Sequence, residues 1–151
     1  MIEYILAACL WITTPTPAEF TEYRECQETK YMVYSVKEWL PTVQSYFKEE
    51  DILRALGIIH CESSGRPTVI GNNSNGSQDV GLWQFNDDTW AWLKSKLGII
   101  GERTNPEVAT RYAAWLVYND GWHHWNSSKH CWKGTDNEML WTHINTSMRS
   151  Y

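Results

Sequence analysis

No apolar run in this sequence approaches the ~20 residues of a membrane-spanning helix. Cysteine is scarce, at 4 in 151 residues, and a chain of this length buries enough surface to fold without a dense disulfide scaffold. Positive charge is in deficit. Lys and Arg number 13 against 18 Asp and Glu, for a net charge of −5. A nucleic-acid binder should carry a basic face, so the balance argues against that class. There is no internal repeat and no low-complexity tract. Charged residues make up 21% and aromatics 14%, the wrong mixture for intrinsic disorder. What is present in excess is indole, with ten Trp. Indole is core material, and it also stacks on flat ligands and sugar faces. The length suits one domain.

The amino terminus carries an apolar stretch from Ile5 to Ile12, followed by Thr-Pro-Thr-Pro at 14–17. Two readings fit it. One is the short core of a secretory signal, although Glu3 stands where Lys or Arg is expected. The other is a buried strand or helix. Either way the Pro-Thr-Pro stretch is a boundary, which gives an apolar segment 1–17 and a single domain 18–151. The four cysteines allow three pairings.

Val36 to Phe47 has helical spacing interrupted at Pro41. Acidic residues 49–51 open a second helix, with Ile52, Leu53, Leu56 and Ile59 on its apolar side and its end near Ser63-Ser64-Gly65. Residues 71–81 are turn chemistry, and Asn75-Gly76 is a strong hairpin signal. Short strands are expected at Thr68–Ile70 and Gln78–Leu82. Asp88 is the expected cap of a helix from Thr89 to Leu97, stopped by Gly98. Asn105-Pro106 opens a last helix that runs to Gly121. The fold class is α+β, mainly helical with one small hairpin.

Glu62 and Asp79 are the chemically interesting pair. Glu62 ends an apolar helix, where low dielectric disfavours its charged form. Asp79 sits in a polar, Asn-rich hairpin that favours a charged carboxylate. Two carboxyls in opposite environments can divide acid and nucleophile roles, as glycosidic cleavage requires. The plain alternative is a helix-end salt bridge for Glu62 and an Asx turn for Asp79.

The stretch from Glu62-Ser63-Ser64-Gly65 through Asn72 to Asn86 and Trp90 resembles the active-site segment of the animal c-type lysozymes. The seventeen-residue spacing from Glu62 to Asp79 matches without a gap. Cys61-Glu62-Ser63, Gly81-Leu82-Trp83-Gln84 and Tyr118-Asn119-Asp120-Gly121 also resemble resuscitation-promoting factors and soluble lytic transglycosylases, in which a single Glu does the acid–base work. Trp122-His123-His124-Trp125 and Cys131 are similar to the lysozyme Trp-x-x-Trp and its following Cys.

The resemblance implies a lysozyme-like fold and cleavage of the β-1,4 bond between N-acetylmuramic acid and N-acetylglucosamine in bacterial peptidoglycan. Glu62 would be the acid and base, and Asp79 the nucleophile or charge stabiliser. Cleavage by Glu62 alone, with anhydro products, is the alternative, and a non-catalytic glycan-binding module is a third. Expected substrate contacts are Ser63, Asn73, Gln84, Asn86, Trp90, Tyr118 and Trp122, with Trp122 walling off Glu62. A Cys61–Cys131 disulfide is implied. No cofactor is expected. No metal is expected either, because His60, His123, His124 and His130 with the cysteines lack zinc-site spacing. A monomer outside the cytoplasm, secreted or virion-associated, completes the expectation. The −5 charge departs from the basic character of many animal lysozymes and removes long-range steering onto an anionic wall.

Overall fold

The computed structural model describes Cys9 and residues 16–136. The apolar stretch read as a leader lies outside them, Cys9 apart, and so do Trp11 and Trp141. No helix among the described residues is long and apolar enough to cross a membrane.

Helix α1 (Pro17–Ser35) was not anticipated, yet its start is written in the sequence. Thr16 and Glu19 form a reciprocal capping box, and Pro17 fills the first turn, where its missing N–H costs nothing. The helix is largely exposed and anchors at its far end through Val33 and then Val36, both fully buried. Cys26 on α1 is bonded to Cys9. A 3-10 turn (Lys37–Trp39) leads into α2 (Leu40–Tyr46), so Pro41 lies in a first turn and interrupts nothing.

Helix α3 (Ile52–Ser63) is the centre of the molecule. Ile52, Leu53, Ala55, Leu56, Ile58 and Ile59 are all buried, so the helix is enclosed on more than one side. Its neighbours include α1 and α2 on one flank and the carboxyl-side turns on another. Ser64 closes it in the left-handed conformation, at φ 51°.

Three antiparallel strands follow in the order β1 (Ile70–Asn72), β2 (Gln78–Val80) and β3 (Phe85–Asn86). The expected hairpin is therefore one strand larger. Its first strand begins later than expected because Val69 N–H turns back to the Arg66 carbonyl at 3.5 Å. The second ends at Val80, because Gly81 takes φ +85° and breaks the ladder.

Helix α4 (Asp87–Leu97) is capped by Asn86, not Asp88. The Asn86 side chain accepts the Asp88 N–H at 3.1 Å, which places Asp87 and Asp88 in the first turn, where negative charge is favourable. Helix α5 (Pro106–Asp120) starts at its Asn105 cap and ends at Gly121, as expected. A 3-10 segment (Trp122–Ser128), the short α6 (Lys129–Trp132) and a last turn (Lys133–Asp136) fold back over α3.

Indoles knit the core. Trp83 is fully buried and stacks on Phe47 at 5.5 Å. Its Nε1 donates to Thr110 at 3.0 Å, and its carbonyl accepts Trp125 Nε1 at 2.9 Å. Trp132 is also buried, whereas Trp92 on α4 is 42% exposed.

Candidate active site

Glu62 sits in the last turn of α3, part-buried. Its Oε1 accepts the Ser128 hydroxyl at 2.5 Å. Burial pushes the Glu62 carboxyl above the ordinary range, the Ser128 hydrogen bond opposes that, and the negative charge of Asp79 raises it further.

Ser128 was not singled out in the sequence. It lies 66 residues from Glu62, between the Trp-x-x-Trp segment and Cys131. Its oxygen also accepts Trp132 Nε1 at 3.1 Å, and the Trp125 carbonyl lies 3.1 Å away as a second acceptor. A hydroxyl has one proton to give. With Glu62 ionised, Ser128 donates to it. With Glu62 protonated, Glu62 can donate to Ser128 and the Ser128 proton can turn to Trp125. Both protonation states are satisfied without moving a heavy atom. The Cys61–Cys131 disulfide is formed, as the resemblance implied, and ties the end of α3 to the segment that carries Ser128.

Asp79 is the middle residue of β2, opposite Gly71 on one side and Asn86 on the other. Asn73 Nδ2 donates to its Oδ2 at 3.0 Å, and Asn86 Nδ2 to its Oδ1 at 2.8 Å. Strand alternation sends Val80 into the core and turns Asp79 the other way. The bend after β2 is held at Gly81, where a Cβ would meet the Arg103 carbonyl at 2.2 Å. The Arg103 guanidinium then donates to the Phe85 carbonyl at 2.8 Å, the Gln78 carbonyl at 3.2 Å and Asp87 at 2.6 Å. It clamps β2, β3 and the start of α4 together, and the sequence reading missed it.

The other expected contacts are scattered. Asn73 and Asn86 do reach Asp79. The Gln84 amide nitrogen instead ties down the loop, donating to the Gly81 and Val69 carbonyls at 2.9 and 3.2 Å. Ser63 is buried, and its hydroxyl returns to the Ile59 carbonyl at 3.0 Å, so it terminates the helix. Trp90 is only 5% exposed and packs on Phe85 and Tyr112, which makes it core and not a sugar platform.

Trp122 stacks on Phe47 at 5.8 Å, and the Arg54 guanidinium lies 5.1 Å from its ring centroid. The indole joined to the Glu62 network is Trp132, through Ser128. Tyr118 is held at the opposite end of α3. It donates to Asp51 at 2.9 Å and accepts the Lys48 N–H at 2.8 Å, and burial first among the causes pushes it up to about 12.

This wiring predicts opposite shifts from two substitutions. Ser128→Ala removes the donor that favours ionised Glu62, so the alkaline limb of the kcat/KM profile should move to higher pH. Asp79→Asn removes the neighbouring charge, so the limb should move to lower pH. Profiles on residual activity read both. Shifts of the same sign would break the assignment.

A family model described as Transglycosylase SLT domain matches residues 43–126, more than half of the chain. Among curated proteins, a lysozyme from Galleria mellonella is 40% identical over 53 residues, which is 34% of this chain and 44% of that protein. The chain thus matches less than half the length of that relative. No solved structure matches the chain.

Proposed function

Because the chain belongs to the transglycosylase SLT domain family, we propose that it cleaves the glycan strand of bacterial peptidoglycan, hydrolysing the β-1,4 bond between N-acetylmuramic acid and N-acetylglucosamine. One observation carries the reading. Glu62 has its proton affinity raised by burial and by the charge of Asp79, while Asp79 is held between two amide donors. Protonated Glu62 gives its proton to the glycosidic oxygen as the C–O bond breaks. The Asp79 carboxylate bonds to, or stabilises, the oxocarbenium-like carbon. Glu62, now ionised, takes a proton from water as the water oxygen bonds to that carbon and the Asp79 carboxylate is set free. Ser128 follows the change of state by reversing its hydrogen bond.

The second reading is a lytic transglycosylase, which the matching family favours by its description. There the C6 hydroxyl of the muramic acid attacks in place of water, Glu62 takes its proton, and a 1,6-anhydro ring is left. The two outcomes differ by one water in mass. Mass spectrometry of muropeptides released from purified walls should find reducing muramic acid ends. Products that are all 1,6-anhydro would overturn hydrolysis and install the second reading.

The carboxyl pair needs no cofactor for either route. The protein acts as a monomer outside the cytoplasm, secreted or virion-borne, and its two disulfides fit an oxidising compartment.

A further inference from the structure

At the C-terminal end of α5, three side chains outside the carboxylate site converge. His124 Nε2 lies 2.6 Å from Asp120 Oδ2, and His123 Nε2 lies 3.5 Å from the same oxygen. The two imidazoles are 4.2 Å apart between centroids. Successive residues of a 3-10 turn point about 120° apart, so two adjacent rings are not expected to aim at one oxygen. One ligand atom from each residue falls within 4.8 Å of the others. Among the described residues, no cysteine or fourth protein ligand takes part.

We propose that Asp120, His123 and His124 form a zinc site with an open fourth position. Two imidazole nitrogens and one carboxylate oxygen form a donor set that suits Zn²⁺. Bond lengths of ~2.0–2.1 Å in a tetrahedron put neighbouring donors about 3.3 Å apart. The Asp120–His123 separation of 3.5 Å already fits. The 2.6 Å pair must open by about 0.7 Å, and Asp120, half exposed, can rotate to allow it. That short contact needs a proton on His124 Nε2. Coordination replaces the N–H···O bond with N–Zn and O–Zn bonds, and Nε2 gives up its proton, to Nδ1 in a neutral ring or to solvent in a charged one.

The backbone favours a cation here too. Asp120 is the last residue of α5, where the helix carbonyls present partial negative charge. Gly121 at φ +91° then turns the chain so that residues 123 and 124 come back over residue 120. The zinc-spacing motifs miss the site because its third ligand is an aspartate.

A bound ion would pin the end of α5 to the Trp122–Ser128 segment, so its expected role is that of a fastener. The test is titration of the full chain with Zn²⁺ alone, by calorimetry, alongside thermal melts. Wild type should bind one ion per chain, and its Tm should rise. His123→Ala and His124→Ala should each weaken binding at least ~10-fold and lose the Tm rise. Asp120→Asn should do the same without changing the bulk of the side chain. Absence of saturable binding by wild type overturns the site. So does unchanged affinity in the double variant His123→Ala/His124→Ala, which would put the ion on other histidines. Neither result bears on muropeptide products, so this inference and the proposed cleavage stand or fall separately.

Discussion

Glu62→Gln should lower wall-clearing activity by about 10²- to 10⁴-fold, the usual contribution of a positioned acid or base. Gln keeps the shape of the side chain and an oxygen for the Ser128 hydroxyl, but it has no proton to transfer. The same substitution should stabilise the fold. Burial raises the Glu62 pKa above its unfolded value, so between the two values the folded state holds more protons, and stability falls as pH rises through that window. Gln carries no charge at any pH. The variant should therefore melt at higher temperature than wild type near neutral pH, and the gap should close below the ordinary Glu range near ~4.3. Melting curves at both ends, beside turbidity assays on purified walls, check the pair of effects. An active variant would reduce the molecule to a glycan-binding module. An inactive variant that melts lower at neutral pH would mean that the charge on Glu62 is a structural asset, against its burial.

Cys61→Ala/Cys131→Ala should cost about 4 kcal/mol, or about 10³-fold in the ratio of folded to unfolded chains. The bridge spans 70 residues, and closing so long a loop removes much of the freedom of the unfolded chain. Few other single contacts here have that leverage, since the bond joins the two segments that meet at Glu62. Urea titrations should show the midpoint falling and the slope rising, because the unlinked chain is more open when unfolded. A loss below ~1 kcal/mol would mean that the folds of 52–63 and 122–132 hold each other by packing alone.

Much of the helical framework was legible, because the signals are local. Asn105-Pro106, Gly98 and Gly121 are helix punctuation, and each sits where it was read. The start of α1 was equally local, through Thr16 and Glu19, but eight apolar residues ahead of it drew the reading toward a leader. Strand ends were less legible, since they depend on which carbonyl a loop N–H finds. In the site, Asn73 and Asn86 were readable because turn and register bring them to Asp79 within a few residues. Ser128 and Arg103 were not. Each acts across a long sequence gap on a partner that other polar side chains of similar size can serve equally well. Aromatic roles were harder to read for a related reason. Trp90 and Trp122 match a pattern by position, yet which face of a ring meets solvent is decided by packing against Phe85, Tyr112 and Phe47.

The contact between Gly81 and Arg103 bears on transplanting this sheet. A designer who moves residues 70–86 onto another helical framework would carry the Asp79 carboxylate and both of its asparagines. The bend at 81 would arrive without the carbonyl it leans on, and the Gln78 and Phe85 carbonyls would lose the guanidinium they share. The smallest portable unit is therefore discontinuous. It must include the loop around 103, and position 81 must remain glycine in any such chimera.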